Sequence, residues 1–237
     1  MNYFKFYKSQ VRKLPRGSYS LPLLLRNFGA WKSSIQPGKN TLDDGMPWMT
    51  FDAIRFLKKN IRKEMNVFEY GSGGSSVFFA HHAREVISIE HDKKWLDNVK
   101  LNIEKKGLTN WKGLLVLPVK RTSSSMADPS DPEAHASSDD TFVNYDFSEY
   151  AGAIDKFPDG YFDLVVVDGR ARPSCIKHAV SKLKKRGYLL LDNADREHYA
   201  KAIRLYMTEG FRNEISTFGP TSYSLDFTQT IIRRKEF

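Results

Sequence analysis

The chain has 237 residues, 41% hydrophobic and 27% charged, which is enough to bury one sizeable core and is ordinary for a globular protein. Its single cysteine, Cys175, excludes an intramolecular disulfide and a cysteine-built zinc site, and no apolar run reaches the ~20 residues of a membrane-spanning helix. The net charge of +9 suits nucleic acid, an anionic surface or an anionic small molecule, yet no RNA-recognition motif, zinc finger or base-reading basic helix accompanies it.

Residues 1–46 are basic and aromatic and are interrupted by Pro15, Gly17, Pro22, Pro37 and Gly38. They read as an extension packed on the main domain, with short helical pieces at best. Their lysines precede no apolar leader with a small-residue cleavage site, so a cytoplasmic protein is expected. The main domain is expected over 47–237. Thr50 is placed to cap a helix with Phe51, Ile54, Phe56, Leu57 and Ile61 at helical spacing.

An apolar strand then ends in Glu69-Tyr-Gly-Ser-Gly-Gly-Ser-Ser76, followed by the helical start Val77–His82. Glu85–Glu90 reads as a second strand, and Asp92 caps a helix carrying Trp95, Leu96, Val99 and Ile103 on one face, stopped at Gly107. A third strand is predicted over Gly113–Val119, a fourth over Tyr161–Asp168, and a fifth over Gly187–Asp192. Pro173 suits the first turn of the helix between the last two. A helix over 196–209 and a closing strand pair over 211–218 and 223–233 complete the order. Strands alternating with helices specify an α/β, doubly wound, mostly parallel sheet with helices on both faces. The polar stretch 120–150 fits no element and reads as an insertion loop that shapes a substrate site.

The glycine turn follows the strand–turn–helix order of a nucleotide site, where backbone N–H groups meet the ligand. Gly71 and Gly73 match the dinucleotide pattern, but Ser76 stands at its third glycine. Glu69, just before the turn, is poor company for a pyrophosphate and good company for a ligand amine or sulfonium. Glu90 closes the next strand 19 positions after Gly71, the offset of a carboxylate that accepts ribose hydroxyls.

With Ile89-Glu-His-Asp92, Asp163-Leu-Val-Val-Val-Asp-Gly169 and Gly187-Tyr-Leu-Leu-Leu-Asp-Asn193, these motifs resemble class I S-adenosylmethionine-dependent methyltransferases over roughly residues 47–237. The resemblance implies a seven-stranded Rossmann-like sheet whose last strand is antiparallel. It puts Glu69, Gly71, Ser72, Gly73, Ser75 and Ser76 at the cofactor loop, Glu90 on the ribose and His91 beside the adenine. Ser75 stands where that family commonly has a third glycine, with Gly74 adjacent. Asp146 is the candidate adenine contact from the insertion.

A narrower resemblance, to catechol-type O-methyltransferases, makes Asp168, Asp192 and Asn193 candidate ligands of a Mg²⁺ ion that would lower the pKa of a substrate hydroxyl. The alternative is that Asp168 orients the substrate directly and that Asp192 and Asn193 turn the chain into a helix. Asp168, Arg170 and His198 are the catalytic candidates, with Arg170 and Arg172 able to clamp an anionic acceptor and His198 able to act as a base. Cys175, without a basic partner, reads as packing. The expected activity is O-methylation of a small-molecule or carbohydrate hydroxyl. The alternatives are an RNA or DNA methyltransferase and a non-catalytic nucleotide-binding module.

Overall fold

The computed structural model of the chain describes residues 2–15, 17, 21–122 and 126–237. Helix α1 (Tyr3–Val11) starts where the Asn2 side chain accepts the Lys5 N–H at 3.0 Å, and α2 (Leu21–Ser34) packs beside it. Buried Tyr7 and Trp31 meet Phe28, Phe51 and Phe227, so aromatic area rather than a separate core attaches these helices to the rest of the chain. Trp31 Nε1 fixes the contact by donating to the Ser224 carbonyl at 2.9 Å. The short α3 (Thr41–Asp44) ends at Gly45, whose φ of +58° is the left-handed conformation a C-terminal cap requires. Helix α4 (Phe51–Asn60) buries Ala53, Ile54 and Leu57 on one face.

Strand β1 (Asn66–Tyr70) is buried at every position and runs through the glycine turn into α5 (Gly74–His82). Then come β2 (Glu85–Glu90), α6 (Lys93–Lys105) and β3 (Trp111–Leu115). Two short strands, β4 (Val119–Lys120) and β5 (Tyr145–Asp146), pair as a separate antiparallel ribbon before α7 (Ser148–Ala151). The chain returns through β6 (Phe162–Val167), α8 (Arg172–Lys182), β7 (Leu183–Leu191), α9 (Ala200–Tyr206), β8 (Phe211–Pro220) and β9 (Phe227–Lys235).

The seven-stranded sheet has the order β3-β2-β1-β6-β7-β9-β8. Strands β1, β2, β3, β6 and β7 pair in parallel, and β9, last in sequence, is antiparallel to both β7 and β8. Alternate residues of each central strand face opposite layers. Phe68, Tyr70, Val165, Val167 and Leu191 join one apolar cluster, while Val67, Leu164, Val166 and Leu190 join the other. Burial on both faces explains why these strands are apolar throughout.

Strand order reverses between β1 and β6, the place where ligands enter open α/β sheets. There Tyr70 pairs with Ile89 on one side and Val167 on the other, and Val167 pairs with Leu191. Gly71, Glu90, Asp168 and Asp192 therefore leave the sheet on one common rim.

Several boundaries move. The third strand occupies 111–115 rather than 113–119, because Leu117 and Val119 turn outward and the chain departs toward the ribbon. The fifth begins at Leu183, before the expected glycine, with an irregular register opposite Phe162 and Leu164. The helix expected at 196–209 is a 3₁₀ turn over Glu197–Tyr199 followed by α9. The insertion is built rather than structureless: Arg121 ties the ribbon to the Ala134 carbonyl at 2.6 Å, and Phe147 and Tyr150 are fully buried.

Candidate functional site

The glycine turn is a close-contact structure. Gly71 has φ +90°, and a Cβ on it would stand 3.1 Å from the Gly169 Cα; a Cβ on Gly169 would stand 2.0 Å from the Tyr150 hydroxyl. Only glycines let the turns after β1 and β6 meet this way. Gly74 serves a different contact, since its missing Cβ leaves room for the Thr41 and Met46 carbonyls, each 2.3 Å from where that Cβ would lie. The glycine beside Ser75 thus admits the α3 segment against the start of α5.

Glu69 lies beneath the turn and off the cleft wall. Its Oε2 accepts from Ser76 Oγ at 2.5 Å and Ser88 Oγ at 2.8 Å, while Ser76 Oγ accepts the Gly73 N–H at 3.0 Å. Trp111 Nε1 donates to Ser88 Oγ at 2.9 Å and closes the network. Fully buried, the Glu69 carboxyl is pushed up to about 7 by loss of water, with the serine hydroxyls opposing that rise. Among the described residues its Oε1 has no hydrogen-bond partner.

Glu90 does line the cleft. Oε2 accepts the Ser72 N–H at 3.0 Å and the Ser72 hydroxyl at 2.9 Å; Oε1 accepts the His91 and Asp92 N–H groups at 2.8 and 3.1 Å. Burial disfavours its charge, but contact with the His91 ring and the Ser72 and Asp92 N–H groups hold its pKa below the ordinary value. His91 Nδ1 lies 2.8 Å from Oε1 without the geometry of a directed hydrogen bond. The same ring meets Phe142 of the insertion edge to face at 5.1 Å.

Asp168, Asp192 and Asn193 converge, but the metal expectation does not survive their surroundings. The Arg172 guanidinium already stands among them. Its Nη2 is 2.9 Å from Asp168 Oδ1 and donates to the Asp168 carbonyl at 3.0 Å; its Nη1 donates to the Asp192 carbonyl at 2.5 Å and to Asn193 Oδ1 at 3.2 Å. Asp192 Oδ1 accepts Thr230 Oγ1 at 2.7 Å. Burial raises the pKa of both carboxyls, with Arg172 opposing the rise. A permanently charged guanidinium at the centre of these oxygens repels a divalent cation, so they do not fit a Mg²⁺ site. Among the described residues, no group of three His, Cys, Asp or Glu side chains gathers in metal-binding geometry.

Arg170 and Arg172, expected as a pair, have separate surroundings. Arg172 is buried and braces strand ends. Arg170 reaches the insertion, with Nη2 3.0 Å from Asp139 Oδ2 and its guanidinium over the Phe142 ring at 5.7 Å. His198 packs on Tyr199, its Nε2 buried without a partner among the described residues; burial and then Arg196 and Arg172 lower its pKa. Asp146 does not reach the cleft. It pairs with Arg121 at 3.3 Å and caps Ser148 at 2.7 Å. Cys175 is fully buried and donates to the Arg170 carbonyl at 3.3 Å, consistent with packing.

These parts enclose a cleft of about 760 Å³ over the carboxyl ends of β1, β2, β6 and β7. A side chamber of about 450 Å³ adjoins it through Thr141, Gly169, Arg170, Arg172 and Arg196. The sequence reading missed Thr41, Trp48, Trp95, Phe142 and Arg196 on the cleft walls. Trp95 was legible only as a helix-face residue, whereas its indole Nε1 crosses to the Ser72 carbonyl at 2.7 Å. An exposed tryptophan one turn after a strand-end acid is the signal that could have found it.

The arrangement is the Rossmann-like methyltransferase fold, with the glycine turn, the second-strand acid and the braced fourth- and fifth-strand ends on one cleft. Neither a family model nor a curated sequence matches the chain. Solved structures share the fold. A methyltransferase from Geobacter sulfurreducens is 12% identical, with a TM-score of 0.54 over 89% of this chain and 96% of that one. A candidate methyltransferase from Streptococcus mutans, solved with SAH, is 12% identical, with a TM-score of 0.52 over 76% and 94%. A candidate rRNA methylase from Clostridium thermocellum is 11% identical, with a TM-score of 0.54 over 78% and 94%.

Proposed function

We propose that the protein is an S-adenosylmethionine-dependent methyltransferase that methylates a hydroxyl of a small-molecule or carbohydrate acceptor. The observation that carries this reading is the placement of Glu90, at the end of β2, on the same cleft as the close-contact Gly71 turn and the Asp168 rim. The cleft volume falls inside the roughly 300–1,000 Å³ of small-ligand sites. The residues fit the cofactor: Glu90 is a carboxylate held ionised for ribose hydroxyls, and the Gly71 and Gly73 backbone permits close approach. The Ser72 hydroxyl is the Glu90 partner a ribose hydroxyl would displace, while His91 and Phe142 wall the adenosine end.

When bound, S-adenosylmethionine supplies an electrophilic methyl group on a sulfonium. The protein's part is to orient the acceptor oxygen in line with that methyl, exclude water and remove the hydroxyl proton. Asp168 faces the cleft with a carboxylate that favours the cationic sulfonium, and Arg172 fixes its position. His198, kept neutral by its lowered pKa, is the proton acceptor from the side-chamber wall. Arg170 positions the acceptor from the insertion side.

The His198→Gln variant should lower turnover about 100-fold or more while leaving S-adenosylhomocysteine affinity unchanged. The wild-type rate should hold at neutral pH and fall only below the ordinary histidine value of 6.5. An acid limb unmoved by the substitution would remove His198 from the mechanism. A nucleic-acid acceptor is the second reading, supported by the net charge of +9. It would show as an acceptor affinity that falls steeply with salt.

A further inference from the structure

Three arginines, Arg170, Arg172 and Arg196, stand where the two chambers meet and line both; Glu90, Asp92, Asp168, Asp192 and Asp226 line the main chamber only, and Asp139 and Asp140 the side chamber. The arginines are not equivalent. Arg172 is saturated by carbonyls and Asp168. Arg170 has one ion pair, to Asp139, and a buried Nε without a partner. Arg196 is exposed; its side-chain contacts are the Tyr199 hydroxyl at 3.3 Å and the Tyr199 ring at 6.0 Å, and among the described residues no carboxylate lies within ion-pair distance. The chamber's own acids do not cancel it, since Asp139 is tied to Arg170 and Asp140 is exposed. His198 stands in the same wall.

We propose that the side chamber takes the oxyanion of a small hydroxylated acceptor, a carboxylate or a phosphate, on Arg196 with Arg170 beside it. A guanidinium offers parallel N–H donors that match either anion bidentately, and the insertion and the start of α8 wall the chamber on two sides. The anion is then anchored at Arg196, and the acceptor's hydroxyl lies between His198 and Gly169, toward the main cleft. A polynucleotide fits poorly. It needs a basic track along successive phosphates, and here, among the described residues, a single guanidinium without an ion pair stands on the chamber wall. This proposal rests on the cleft reading above, because the acceptor's other end must face the methyl donor.

The test is calorimetric titration of the full chain, saturated with S-adenosylhomocysteine, by glucose 6-phosphate, glucuronate and glucose at low ionic strength. The expected result is binding of at least one anion and none of glucose. R196Q should weaken that binding about tenfold or more, and R196K, which keeps charge but loses the fork, should recover part of it. The tighter anion identifies phosphate or carboxylate. Equal affinity in wild type and R196Q, equal binding of glucose, or no binding of either anion would overturn the proposal. Matching thermal unfolding of R196Q and wild type, followed by circular dichroism, controls for loss of fold. If S-adenosylhomocysteine fails to bind wild type, the cofactor reading falls, while titration without it still reports the Arg196-dependent anion site.

Discussion

At the scale of single residues, charge burial separates the side chains that build the site from those that face it. Glu69 and Glu90 are neighbouring strand-end acids with opposite environments. Glu90 accepts backbone N–H groups and stays ionised, whereas Glu69 accepts only serine hydroxyls and is pushed up to about 7. Between the ordinary value of 4.5 and about 7 the native state binds a proton that the unfolded chain has released. That contribution to stability is complete below about 4.5 and is lost as pH rises through about 7. At about 1.4 kcal/mol per pH unit it is on the order of 3 kcal/mol. Glu69→Gln keeps an acceptor for both serines and removes the titration, so urea denaturation at pH 5 and pH 8 should show a smaller pH dependence than wild type. An unchanged dependence would place the buried titration elsewhere. Arg172 makes the complementary point: a sequence pattern of oxygen ligands was filled by a cation from the protein itself.

At the scale of elements, the insertion owes its structure to polar contacts that composition conceals. Lys201 reaches Asp131 at 2.9 Å, the His135 N–H donates to Ser174 Oγ at 3.1 Å, and His135 Nε2 meets His178 Nε2 at 3.3 Å. Asp155 holds the other side of His178 at 2.7 Å. Burial, then His178 and Lys177, lower the His135 pKa, while Asp146 and Glu133 oppose this. The unfolded chain therefore binds more protons just below 6.5. The contribution is present above that pH and is lost as pH falls through the lower native value. His135→Asn tolerates the local φ of +48° and does not titrate. Amide exchange over residues 129–146 should quicken on acidification in wild type and much less in the variant. Equal acid response in both would contradict the histidine clasp.

The legible elements were those with strong periodicity or capping: α4, α6 and the central strands follow from Asp92, Gly107 and unbroken apolar runs. The cofactor-side turn was legible because glycine and acid spacing there is dictated by local geometry. The chamber was not, since Asp139, Arg170 and Arg196 meet only through tertiary packing and no spacing in the sequence brings them together.

At the scale of the molecule, the first 46 residues belong to the site as well as to the surface. Thr41 lines the cleft and, with Met46, presses on Gly74, and Trp31 and Phe227 lock the preceding helices to the last strand. The proposed ligand at the rim of four strand ends is S-adenosylmethionine, and titration with S-adenosylhomocysteine tests that proposal most directly. The expected result is a single site on wild type in the micromolar range, with Glu90→Gln weaker by about tenfold or more, equivalent to about 1.4 kcal/mol. No binding to wild type, or equal affinity in the Glu90→Gln variant, would contradict the assignment.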